Sequence, residues 1–501
     1  MGSRDAWGAR LERLRFHWFC ICLMLAITVS AVFQSLLAGY FGSDAAVVPD
    51  TPTYVELATQ LQEYLQGDVQ TVGDFARTPG YPLIILGLAA GAHIDLKEVR
   101  LPIRDWTGTN ELGRRLVRRI ILFQETAGFL IPILLFIVAY YLTGSPFWAL
   151  LGSFVYCFDI SSVCYQFTVL TETTSIMTIL AIFAVLLAVL RHPARWKVVL
   201  LGVLIGWAIL LKPPNLLLVP IAAVFVALRG TPVGASRKSN LAAFLLAALL
   251  LPAAWTACNW HKYGHAFYTK NQTITLQNYT GPRFAEIPLA PGELRVLQDN
   301  VKVALSTSPD YAMSRCIWAT AGQLRLVDDF EMYRLMDAAN RVTITANPGE
   351  FLSRGWSRFL AMWTEGFLDA GNSYAQSRLE ALFAVGPDVF RDSMLLLRER
   401  SLWMFPLLCI AAFFASRRAG VRAGILFGFI FTLSYMYATA VFDENGYMRH
   451  GMAARAVVNV LLVAETGIVL HRIGRAASIT KCPPVRRHLP QELDPSSPGT
   501  S

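Results

Sequence analysis

Asp50 lies between two prolines in "PDTPTYVELATQLQEYL", just after the first long apolar run, and the chain soon returns through "RTPGYPLIIL". A carboxylate there can cap the helix that follows, or it can be held at a fixed height as an acid or base. Pro49 fixes the entry, and Thr51 or Asp50 can cap a short amphipathic helix that puts Tyr54, Leu57, Ala58, Leu61 and Leu65 on one face. Arg77, Pro79 and Tyr81 belong to the returning wall, where Arg77 is placed to pair an acid or a phosphate. Asp44 is a weaker acid in the same loop.

Other ionisable groups recur at the ends of apolar runs. Glu125 follows Gln124; Asp159 and Glu172 bracket "FDISSVCYQFTVLTETT"; Lys212 opens "LKPPN"; Arg449 and His450 close "FDENGYMRH". Burying such groups in or beside a membrane is expensive, so each is a functional hypothesis. Each can equally be a snorkelling or helix-pairing side chain. Together they suit a cleft that receives a phosphate and supplies a base. His261 and His265 are four apart, but Gly264 between them and the lack of a neighbouring acid argue against a metal. No cofactor is firmly implied, and a divalent cation is left open.

The elements that must position these residues are apolar runs. The chain has 501 residues, 54% hydrophobic and 16% charged, against roughly 45–50% and ~25% in soluble domains. Blocks at 16–38, 120–142, 147–164, 172–190, 196–211, 215–228, 241–257, 402–415, 423–441 and 453–470 give about ten spans, since a helix needs ~20 apolar residues to cross ~30 Å of hydrocarbon. The expected fold is all-α and polytopic, with about ten transmembrane helices, or eleven to thirteen. The block at 351–367, interrupted by Arg354 and Arg358, is either a further span or an interfacial helix with a basic stripe.

Lysine and arginine bias in short loops sets the orientation. Arg4, Arg10, Arg13 and Arg15, the loops at 191–197, 229–238 and 417–422, and the basic tail fall on one side if both termini are cytoplasmic. Arg114, Arg115, Arg118 and Arg119 object, although they end a long loop. The loops 39–119 and 259–401 are then external, and the first block is an uncleaved anchor. The net charge of +9 is topogenic and gives no argument for nucleic acid. Eight cysteines without a CxxC pair imply neither a disulfide framework nor a zinc site. The expected organisation is a seven-helix module at 1–257, external loop and interfacial helices at 258–401, C-terminal spans at 402–473, and a disordered cytoplasmic tail at 474–501.

"PDTPTYVELATQL" with "RTPGYPLIIL" resembles the first external loop of the C-type membrane glycosyltransferases, in particular the protein O-mannosyltransferase and aminoarabinose-transferase-like group. "FQETAGFLIPILLFIVAYYLTGS" and "WALLGSFVYCFDISSVCYQFTVLTETT" are similar to the second to fourth spans of that group. "LLKPPNLLLVP", "NWHKYGHAFYTKNQ" and "EMYRLMDAANRVTITANPGEFLSRGWSRF" resemble later landmarks, with Cys258 standing where an arginine is usual. The likeness covers roughly 16–367 and lies in the shared order of individually weak motifs.

The resemblance implies a transferase with a polyprenyl-phosphate-linked sugar donor, an acidic first-loop residue (here Asp50) as catalytic base, and inversion at the anomeric carbon. The acceptor would be an envelope glycan, a lipid or a protein. Lys212 and Arg449, then Arg354 and Arg358, would hold the lipid phosphate. The implied location is a bacterial inner membrane, with the site facing the periplasm or exterior. Two other classes stay open: a transporter or lipid-glycan flippase, and a non-catalytic assembly subunit. A transporter more often places its polar residues at mid-membrane on broken helices; here they gather at span ends.

Overall fold

The computed structural model describes residues 2–41, 50–101, 109–158, 162–163, 165–230, 236–289, 291–307, 313–324, 329–364, 404–442 and 452–481. Among them every regular element is a helix. In chain order these are α1 (Gly2–Phe41), α2 (Thr51–Gln66), α3 (Gly80–Ala90), α4 (Glu111–Thr143), α5 (Pro146–Phe158), α6 (Glu172–Arg191), α7 (Arg195–Leu211), α8 (Leu218–Arg229) and α9 (Arg237–Tyr263). They continue with α10 (Asn271–Phe284), α11 (Glu293–Thr307), α12 (Met313–Leu324), α13 (Asp329–Ala346), α14 (Pro348–Thr364), α15 (Met404–Ala415), α16 (Ala419–Phe442) and α17 (Met452–Lys481).

Among the described residues each of the ten apolar blocks lies largely on helix. Six helices among the described residues, on α1, α4, α6, α9, α16 and α17, are long and apolar enough to cross a membrane. The chain is a multi-pass membrane protein. Its main core runs through α4, α6, α7, α8, α16 and α17, with Leu135, Phe136, Ile179, Phe183, Ile205 and Phe431 among its buried residues. A separate small core, including Phe284, Leu297, Leu335 and Ala339, holds α10 to α13 together.

Several boundaries differ from the sequence reading. In the third block α5 covers Pro146–Phe158, and a 3-10 turn follows at Tyr165–Phe167. Beyond that turn, the Gln124 amide donates to the Thr168 and Leu170 carbonyls at 3.0 and 2.9 Å, satisfying non-helical backbone inside the bundle. The sixth block starts within a 3-10 turn, Pro213–Leu217, that leads directly into α8.

α4 begins at Glu111, so Arg114, Arg115, Arg118 and Arg119 ride its first turns and do not end a loop. α14 is amphipathic, with Phe351, Phe359 and Met362 buried and Leu352 and Trp356 exposed. Its seventeen described residues rise about 25 Å. α17 continues to Lys481, past the expected boundary at 473.

Candidate active site

α2 begins where the proline signal places it, with a proline in its first turn. Asp50 occupies the cap position, yet its side chain makes no cap hydrogen bond. Its carboxylate instead accepts from Arg77 Nη2 at 2.6 Å. Arg77 also donates through Nε to Thr53 Oγ1 at 2.9 Å, and its guanidinium lies 4.7 Å over the Tyr54 ring. The Thr53 hydroxyl donates to the Asp50 carbonyl at 2.8 Å, and Thr51 donates to the Val169 carbonyl at 3.2 Å. The helix start is thus tied both to itself and to the segment that Gln124 holds. Of the expected apolar face, Tyr54, Leu57, Ala58 and Leu61 are buried with Val55, whereas Leu65 is 73% exposed near the C-terminus of α2.

The returning strip is positioned by the last turns of α9 and by the residues that follow it. Asp74 N donates to Asn259 Oδ1 at 3.1 Å, and the Gly73 carbonyl accepts from Lys262 Nζ at 2.9 Å and the Tyr263 hydroxyl at 3.1 Å. The Phe75 carbonyl accepts from Lys270 N and the Thr269 hydroxyl. Asp74 then accepts from the Ala76 and Arg77 backbone amides at 2.7 and 2.5 Å, an Asx turn that aims Arg77. Burial pushes the Asp74 carboxyl above its ordinary value, against the lowering effect of those two amides.

Pro79 precedes α3, and Tyr81 is fully buried with its ring edge-on to Tyr54 at 5.2 Å between centroids. Gly80 allows a close backbone approach: a Cβ there would lie 2.6 Å from the Leu210 carbonyl. This contact docks the Arg77 turn against the end of α7. There Pro213 pushes Lys212 into extended backbone and stops the helix. Asn215 Nδ2 takes up the Ala208 carbonyl at 2.7 Å. Lys212 Nζ meets Glu172 Oε1 at 3.1 Å, with side-chain exposures of 6% and 1%.

These pieces border one cavity of about 730 Å³. Its lining includes Tyr54, Arg77, Thr78, Thr171 and Lys212 on one side, and Pro213, Pro214, Leu216, Val219, Pro220 and Phe442 as apolar wall. Tyr268, Thr269, Asn271, Gln272 and Thr275 add polar groups from α10 and the residues just before it. Arg77 and Lys212 are the charged residues of this lining among the described residues. An anion with a long apolar tail matches such walls.

Of the residues singled out from sequence, Asp50, Tyr54, Arg77, Pro79, Tyr81, Glu172 and Lys212 are brought together. Arg354 and Arg358 sit half-buried on α14 and do not line the cavity. Glu125 borders a different, shallow cavity with Gln34. Asp44, Asp159, Arg449 and His450 lie outside the described residues. His261 lies in the last turn of α9, and the His265 ring stacks on Phe330 at 3.7 Å. Among the described residues no three His, Cys, Asp or Glu are grouped to hold a metal. Sequence reasoning missed Asp74, Asn259, Lys262 and Tyr268. An aspartate three residues ahead of "RTPG" was the available signal for the first.

No family model matches the chain, and no curated protein is similar to it in sequence. Among solved structures it is similar to the Archaeoglobus fulgidus oligosaccharyltransferase tethered to an acceptor peptide containing the NVT sequon. Identity there is 12% and the TM-score 0.43, over 89% of this chain and 49% of that one. It is also similar to ArnT from Cupriavidus metallidurans bound to undecaprenyl phosphate, at 14% identity and a TM-score of 0.34, over 91% and 78%. The chain spans about half the length of the oligosaccharyltransferase. Likeness at these scores assigns no role to any residue.

Proposed function

We propose that this protein is an integral-membrane glycosyltransferase that takes its sugar from a polyprenyl-phosphate-linked donor. The observation that carries the reading is the Asp50–Arg77 pair beside an apolar-walled cavity whose lining cations are Arg77 and Lys212. The prenyl chain runs along the proline and leucine wall, and the phosphate sits between the two cations. The acceptor hydroxyl attacks the anomeric carbon as the bond from that carbon to the phosphate oxygen breaks. Asp50 takes the hydroxyl proton, and the electron pair of the broken bond leaves with the lipid phosphate. One displacement inverts the anomeric centre.

An acceptor hydroxyl is too weak a nucleophile without proton removal, and a positioned carboxylate contributes ~10²–10⁴-fold to such a step. Arg77 orients that carboxylate through Nη2, is itself held through Nε by the Thr53 hydroxyl oxygen, and supplies positive charge at the cavity wall for the phosphate. The site faces the external side of the membrane, with both termini cytoplasmic, and the acceptor is an envelope glycan, lipid or protein. Transfer of radiolabel from a polyprenyl-phosphate sugar in proteoliposomes tests the reading. Movement of intact labelled lipid across the bilayer without transfer would replace it with a flippase.

A further inference from the structure

A second, smaller cavity of about 190 Å³ lies at the far end of α6, between α4, α6 and α16. Glu172 begins α6 and Arg191 ends it, and its twenty residues rise about 30 Å. That length matches the hydrocarbon core of a bilayer. The small cavity is therefore about one membrane core away from the Glu172–Lys212 pair, at the depth where lipid headgroups of the opposite leaflet lie.

Two guanidinium groups reach it from segments far apart in sequence. Arg191 lies over the Tyr141 ring at 5.8 Å. Arg418 lies against the turn that closes α4, where Gly144 adopts φ +69° and a Cβ would sit 3.3 Å from Arg418 Nη1. Neither arginine has a carboxylate in ion-pair range among the described residues. Neighbouring Arg422 is different: its Nε donates to the Ser416 carbonyl at 2.6 Å. The first turn of α16 also borders the cavity, through Gly420 and Val421, so amide donors at the positive end of that helix add to the two cations. Leu187 and Leu190 make the floor apolar.

We propose that this cavity binds the phosphate group of an anionic membrane phospholipid, with Arg191 and Arg418 as its two grips, and so clamps the ends of α4, α6 and α16. Basic pockets between transmembrane helices suit such headgroups. Arginine is the fitting residue, because its planar fork meets phosphate through two parallel hydrogen bonds.

The test titrates delipidated full-length protein with dioleoyl phosphatidylglycerol, followed by native mass spectrometry, with phosphatidylcholine as reference lipid. Wild type should hold the first phosphatidylglycerol at least about tenfold more tightly than phosphatidylcholine, the scale of one charge-assisted hydrogen bond. Arg191→Gln/Arg418→Gln should lose that preference. Arg195→Gln/Arg229→Gln, which removes two arginines from the same end of the bundle, should keep it. Equal loss in both pairs, or none in the first, overturns the site. Displacement of the lipid by millimolar inorganic phosphate overturns the lipid assignment in favour of a soluble phosphate. If the double variant does not fold, Arg418→Gln alone, in the loop ahead of α16, makes the same comparison.

Discussion

Gly80 stands so close to Leu210 that a methyl group on it would lie 2.6 Å from the Leu210 carbonyl carbon and oxygen. The contact is backbone to backbone, and it joins the turn that carries Arg77 to the helix end that presents Lys212. Neither side can yield by rotating a side chain. Gly80→Ala should therefore lower stability by about 1–3 kcal/mol, the usual cost of overpacking. It should lower transfer activity further in the molecules that remain folded. Thermal unfolding beside single-turnover transfer checks this, and unchanged activity would separate the turn from the site.

Lys212 and Glu172 meet at 3.1 Å and both are buried, so they must be varied together. Removing the ammonium alone leaves a carboxylate buried without it, a change that typically costs about 3–5 kcal/mol. Lys212→Met should show that loss in denaturation, and adding Glu172→Gln should recover most of it. The recovered double variant should still have a raised KM for the lipid donor, because one phosphate contact is gone. A normal donor KM would make the pair purely structural.

Asp74 provides a pH test. Burial raises its carboxyl above the ordinary 3.8, so the folded protein holds this proton more tightly than the unfolded chain does. Its contribution to stability is fully present below 3.8 and falls as pH rises through the raised value. Asp74→Asn keeps an oxygen for the Ala76 and Arg77 amides and carries no charge. Unfolding midpoints measured from acid to neutral pH should decline more steeply with pH in wild type than in Asp74→Asn. Parallel curves would mean that the carboxyl is not strained by its burial.

The sequence showed the helices through the length of apolar runs, and it showed Asp50 and Arg77 because prolines mark both turns. It failed where polar backbone is satisfied inside the bundle. The Gln124 side chain that holds Thr168 and Leu170 is more than forty residues away in the chain, so no local pattern announces it. Glu172 and Lys212 were each visible as costly charges, but their pairing across forty residues was not. The anchoring role of Asn259 and Lys262 has no local signal, since their partners Asp74 and Gly73 come from a loop nearly two hundred residues earlier.

Orientation is open to direct labelling. Single cysteines replacing Asp68 and Lys302 in a cysteine-free background should react with an impermeant thiol reagent in intact spheroplasts. A cysteine replacing Ser236 should react only after lysis. All three positions lie at helix ends or on exposed helix surface. Labelling of the Ser236 position alone in intact cells would reverse the orientation and put the cavity on the cytoplasmic side.

The most direct measurement is the turnover of Asp50→Asn in proteoliposomes with a radiolabelled polyprenyl-phosphate sugar. Asparagine keeps the size of the side chain and an oxygen for Arg77, whose bond to Asp50 spans 2.6 Å. Folding and donor binding should therefore persist while kcat falls by ~10²–10⁴-fold, the contribution of a positioned base. A folded, donor-binding Asp50→Asn protein with turnover near that of wild type would contradict Asp50 as the base.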